Sequence, residues 1–139
     1  MTDEPELPEP AVTIVREFFN ALELSAVDES LDLLDPEIVW KNASLPSVRG
    51  KKRVAAVLRG LDRPKLGFSA EIHHIAADGD IVLTDRTDYL HVGPVRIGFW
   101  VSGTFELRDG RIVLWDDRFS KGNVLRGNSV GGVKAIRGR

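Results

Sequence analysis

The chain has 139 residues, 42% of them apolar and 29% charged, proportions that suit one globular domain with a single core and leave no room for two. A net charge of −2 at pH 7 supplies no electrostatic footprint for nucleic acid or an anionic membrane surface. Cysteine is absent, which excludes disulfides, thiolate metal sites and a cysteine nucleophile.

Residues 1–10 are acidic and proline-containing, with neither a basic n-region nor an apolar h-region, so they read as a disordered leader and not as a signal peptide. No apolar run approaches the roughly 20 residues a membrane helix needs, and a cytoplasmic protein is expected. A single domain is expected over residues 11–120. Val12, Val15, Phe18, Phe19 and Leu22 recur at helical spacing and predict a helix with one core-facing stripe. A second, short helix is predicted from Val27 to Leu34, opened near Ser25 or Asp28 and stopped before Pro36. Glu37 to Asn42 reads as a strand with Ile38, Trp40 and Asn42 on one side. Ser44 to Gly50, with Pro46, reads as a turn-rich connection. A third helix is predicted over Lys51 to Leu61, burying Val54, Val57, Leu58 and Leu61.

The remainder is a run of strands. Leu66, Phe68, Ala70, Ile72 and His74 alternate with more polar neighbours. Asp78-Gly79-Asp80 turns the chain into Ile81–His91, Val92-Gly93-Pro94 into Val95–Leu107, and Asp109-Gly110 into Arg111–Phe119. Helices followed by a meander of long strands predict an α+β domain with a curved, mostly antiparallel sheet. Residues 121–139 form a basic, glycine-rich tail; Asn123 to Val133 could close over a pocket, but glycine disfavours a stable helix, and a solvated tail is the preferred reading.

Two strand segments carry chemistry. Alternation places Arg86 and Asp88 on one face of their strand, and Val113, Trp115, Asp117 and Phe119 on one face of theirs. A guanidinium between two carboxylates among apolar residues could keep one acid protonated and the other ionised, the equipment for concerted acid–base chemistry on a neutral substrate. A plainer reading competes: charged strand residues are usually solvated, and Ile81, Leu83 and Tyr89 make the Asp85/Thr87 side at least as apolar as the Arg86/Asp88 side. Asn42 could satisfy backbone groups at a strand end, and Trp40 could be ordinary core. His73 and His74 are adjacent on a strand and so should face opposite sides, and no HExxH-type spacing exists; no metal site is expected.

Leu83-Thr84-Asp85-Arg86-Thr87-Asp88, then Phe99-Trp100-Val101, then Ile112 to Phe119, together with Ile38-Val39-Trp40-Lys41-Asn42 and Arg49-Gly50 upstream, resemble the limonene-1,2-epoxide hydrolase family over Ala11 to Ser120. The resemblance implies a cone-shaped α+β fold shared with ketosteroid isomerases and scytalone dehydratases, a deep apolar pocket, a homodimer, and hydration of a small or medium apolar epoxide to a vicinal diol without a cofactor or covalent intermediate. It also implies roles: Asp117 as general base, Asp88 as general acid, Arg86 bridging them, and Asn42 holding the attacking water. Trp40 stands where the family pattern has tyrosine and would share that water; Phe99, Trp115 and Phe119 would line the pocket. An isomerase or polyketide-cyclase-like enzyme, or a non-catalytic small-molecule binder of the same fold, are the rival classes.

Overall fold

The computed structural model describes residues 9–119 and the backbone of 124–128; the expectations for residues 1–8 and for the rest of the tail lie outside the described residues. In chain order the elements are α1 (Pro10–Glu23), α2 (Val27–Asp32), β1 (Leu34–Asn42), β2 (Leu45–Arg49), α3 (Lys51–Leu61), β3 (Leu66–Asp78), β4 (Ile81–Val92), β5 (Val95–Arg108), β6 (Arg111–Arg118) and β7 (Val124–Asn128). The strands form one curled, unclosed sheet in the order β2-β1-β6-β5-β4-β3, mostly antiparallel, with β1 parallel to β6. Helix α1 packs across β3 and α3 against β1.

The core is an apolar contact between helices and concave sheet face. Val15, Phe18 and Phe19 of α1 meet Leu34 and Ile38 of β1, Val82, Phe105 and Ile112, all essentially inaccessible to water. Phe19 meets Phe105 edge-on at 5.7 Å, and Phe18 meets Trp115 at 4.9 Å. Proline at the first position of α1 costs no hydrogen bond, because that N–H has no helical partner anyway. Along α3, Val54 and Leu58 are buried as expected, but Val57 and Leu61 are exposed, because the helix lies on the rim of the sheet and offers a narrower stripe than its spacing suggests.

Three boundaries differ from expectation for identifiable reasons. Helix α2 ends at Asp32 and β1 starts at Leu34, because Leu34 already pairs with Ile112 of β6; Pro36 then falls where the register shifts, a place that needs no N–H from it. The segment read as a turn-rich connection holds β2, an edge strand whose hairpin turn passes through Ala43 at φ 46°, and Pro46 is tolerated at that edge. Within the expected tail, residues 124–128 form β7, paired antiparallel with the start of β5 in the stretch beyond the reach of β6. A fourth difference is local: a bulge between Ile72 and His74 breaks the alternation, so His73 bonds Thr87 and His74 bonds Asp85, two residues on the same face of β4. No described helix is long and apolar enough to cross a membrane.

Candidate active site

Strands β4, β5 and β6 run side by side across the sheet centre, and their inward positions are Thr84, Arg86 and Asp88, then Val101, Gly103 and Phe105, then Trp115 and Asp117. Arg86 is fully buried. Its Nε donates to Asp88 Oδ1 at 2.8 Å and its Nη2 to Asp88 Oδ2 at 2.9 Å, a two-pronged contact within one strand. The same Nη2 reaches Asp117 Oδ2 at 2.8 Å across the sheet, and Nη1 donates to Thr84 Oγ1 at 3.0 Å. The guanidinium carbon lies 4.5 Å from the centre of the Phe19 ring, so helix α1 closes the cation from behind. The paired carboxylates and the arginine expected from strand alternation are therefore in direct contact.

Asp88 and Asp117 face a cavity of about 410 Å³ enclosed by the sheet and the helices, while Arg86 lies behind them. Phe99, Trp115 and Phe119 line it as expected, with Phe99 stacked on Phe119 at 5.8 Å. Leu22, Leu58, Phe68 and Leu90 complete the apolar walls; spacing puts the first three on apolar stripes without marking any of the four as pocket lining. Trp40 and Asn42 border the cavity too. Parallel pairing sets Trp40 beside Trp115 and Asn42 beside Asp117, and the two indoles stack at 4.1 Å and 7°. Trp115 Nε1 donates to Asp117 Oδ2 at 2.9 Å. The oxygens of the two acids are thereby nearly all engaged: both of Asp88 by Arg86, and Oδ2 of Asp117 by Arg86 and Trp115. Asp117 Oδ1 and Trp40 Nε1 are buried without a hydrogen-bond partner among the described residues, one an acceptor and the other a donor.

Burial pushes the Asp117 carboxyl up to about 6; the Arg86 cation pulls it down, and the Asp88 charge pushes it up again. Burial works against the Arg86 charge, but Asp117 and Asp88 outweigh it, and its pKa is raised. The group is a coupled unit of one buried cation and the two carboxyls in contact with it. Such a unit can take a proton at one point and give one at another. Among the described residues no cluster of three or more histidine, aspartate or glutamate side chains is arranged to hold a metal ion.

Sequence reasoning missed Thr84 and Gly103. Thr84 had a signal, since it lies two residues before Arg86 on the same strand face. Gly103 had none, because its neighbours are set by strand register.

Residues 9–129 match the family profile for the limonene-1,2-epoxide hydrolase catalytic domain. Over 113 residues the chain is 42% identical to the epoxide hydrolase EphG of Mycobacterium tuberculosis, covering 81% of this chain and 75% of that protein. The solved structure of an M. tuberculosis LEH-like epoxide hydrolase superposes with a TM-score of 0.78 at 38% identity, over 92% of this chain and 90% of the other. A computationally designed 17-OHP binder shares the fold at a TM-score of 0.77 but only 13% identity, over 86% of this chain and 100% of the binder.

Proposed function

Since the chain belongs to the limonene-1,2-epoxide hydrolase family and resembles named epoxide hydrolases, we propose that it adds water to a small or medium apolar epoxide in one acid–base step, giving a vicinal diol. The observation that carries this reading is one buried guanidinium bridging two carboxylates that both face an apolar cavity.

The roles follow from which atoms are already occupied. Asp117 Oδ1 is the acid oxygen without a partner, so it takes a proton from water. Indole N–H only donates, so Trp40 gives a hydrogen bond to the water oxygen and leaves both water hydrogens to Asp117 Oδ1 and the Asn42 side-chain carbonyl. That water attacks one epoxide carbon, the carbon–oxygen bond breaks, and Asp88 protonates the departing oxygen. The dyad ends with its proton on Asp117 and its negative charge on Asp88. Arg86 faces a single net carboxylate charge before and after, so no uncompensated charge develops in the apolar cavity. Exchange of the proton back to Asp88 restores the starting state. Each proton-transfer role is worth about 10²–10⁴-fold in rate.

Two outcomes test this. In single-turnover hydrolysis in ¹⁸O water, all label should enter the diol; label in a protein carboxylate would mean a covalent ester and end the assignment. The second is pH dependence. The reaction needs one proton on the pair, and Asp117, the acid that burial raises, loses its proton near pH 6 in the free enzyme. Above that, kcat/KM should fall about tenfold per pH unit. An apolar substrate expels water and favours the less charged dyad, so the limb in kcat should lie at higher pH than the limb in kcat/KM. A kcat/KM that instead rises through pH 6 and stays level would mean that Asp117 acts with no protonated partner, and Asp88 would lose its role. We also expect a cytoplasmic homodimer on the strength of the family likeness; sedimentation velocity reads the dimer directly.

A further inference from the structure

We infer that Gly103, with Thr84, is a positioning element of the catalytic dyad: the missing side chain at 103 holds open the space in which Arg86 meets Asp117 and in which Asp117 Oδ1 is seated. This rests on the hydrolase reading above and adds to it a residue that touches neither substrate nor water.

Glycine in mid-strand is a liability, since it weakens the strand and packs nothing. Gly103 lies in the middle of β5, opposite Thr84 of β4 and Asp117 of β6, and it is buried. Its φ is not positive, so the backbone does not demand glycine. Space does. A Cβ there would collide with Arg86 Nη1 and would stand 2.8 Å from Thr84 Oγ1 and 2.9 Å from Asp117 Oδ1. Real Cβ atoms do not approach so closely, and all three neighbours are buried, with Arg86 bonded to both Thr84 and Asp117, so Arg86 cannot step aside without disturbing the others. Thr84 completes the element: its hydroxyl accepts from Arg86 Nη1 at 3.0 Å and donates to the Gly103 carbonyl at 3.3 Å. The guanidinium is thus held at three points, and rotation about its long axis, which would detach Asp117, is blocked.

Gly103→Ala should therefore move the Arg86–Asp117 contact without adding a side chain to the cavity wall, because residue 103 does not line the cavity. The expected result is a folded protein with kcat lower by about 10²-fold, as for a reacting group displaced by about 1 Å, and KM within about threefold of wild type. With Arg86 loosened, Asp117 loses the cation that lowers its pKa, so the high-pH limb should move to higher pH. Wild-type kcat, or a KM that rises in step with an unmoved limb, would overturn the assignment. If Gly103→Ala does not fold, Thr84→Val decides. It removes the Nη1 acceptor at nearly constant volume and should lower kcat with the same displacement of the limb, while Thr84→Ser keeps most of the activity that Thr84→Val loses. Equal activity in Thr84→Val and wild type would overturn it as well. Titrating the ¹³C-labelled Asp117 carboxyl by NMR in wild type and Gly103→Ala reads the positioning without turnover. A displaced titration then supports Gly103 even if no epoxide is hydrated, and an identical titration refutes it even if one is.

Discussion

Asp117→Asn should reduce diol formation by at least about 10³-fold while leaving the protein folded. The substitution is nearly isosteric, and the amide oxygen can turn toward Arg86 Nη2 and Trp115 Nε1, which now hold Asp117 Oδ2. That leaves an NH2 group where Oδ1 stands. An amide nitrogen cannot take a proton from water, and its two N–H donors would stand where the buried acceptor Asp117 Oδ1 now lies. The water then has nothing to give its proton to and is repelled from its seat. Asp88→Asn should be comparably inactive for the opposite reason, since the epoxide oxygen leaves as an alkoxide without a proton donor. Near-wild-type turnover in either variant would remove the acid–base assignment.

Stability separates this loss from unfolding, and its pH dependence has a definite sign. The Asp117 carboxyl is raised in the folded protein to about 6 from 3.8, so its contribution favours the fold at acid pH and is lost as pH rises through the folded value. Thermal melts of wild type should therefore lose ground to those of Asp117→Asn between about pH 4 and pH 7. A gap between the two that does not change with pH would mean that Asp117 is not the buried, raised acid that the geometry makes it.

Much of this was legible before any coordinates, and the parts that were not share a cause. The bounds of α3 follow from spacing alone, and alternation is enough to put Arg86 and Asp88 on one face of β4, and Trp115 and Asp117 on one face of β6. Alternation fails wherever the ladder is irregular. The bulge at His73 brings two adjacent histidines to one face, and the shift between Leu34 and Val39 lets a strand run through Pro36. The choice between the two faces of β4 was not decidable locally, since Leu83 on the outer face is apolar yet 55% exposed, whereas Arg86 on the inner face is charged yet wholly buried. A buried arginine violates ordinary patterning, and such a violation is where function is to be expected. What no local pattern could supply was register: that Trp40 stacks on Trp115, that Asn42 sits beside Asp117, and that Gly103 lies between Thr84 and Asp117.

Replacing Arg86 should cost the most stability of any single change in the site. Asp88 and Asp117 are 6% and 5% exposed, and Arg86 is the cation that both contact. Arg86→Met keeps the length and the contact with Phe19 but strands two carboxylates in an apolar cavity. Removing one partner of a buried ion pair costs about 3–5 kcal/mol, which for a domain of this size lowers Tm by about 10–20 °C. The deficit should depend on pH in a way that identifies its origin. Without the cation both carboxyls are driven toward their neutral forms, so their folded pKa values lie above the unfolded ones, and the variant should recover as pH falls from 7 to 4. Adding Asp88→Asn and Asp117→Asn to Arg86→Met should restore stability at pH 7 without restoring turnover, because the core tolerates neutral amides where it does not tolerate lone charges. Arg86→Lys should return part of the stability but little of the rate, since an ammonium lacks the fork that reaches Asp88 twice and Asp117 once. An Arg86→Met protein as stable at pH 7 as wild type would mean that Arg86 does not compensate the charge of the two acids, and the bridging role assigned to it would fall.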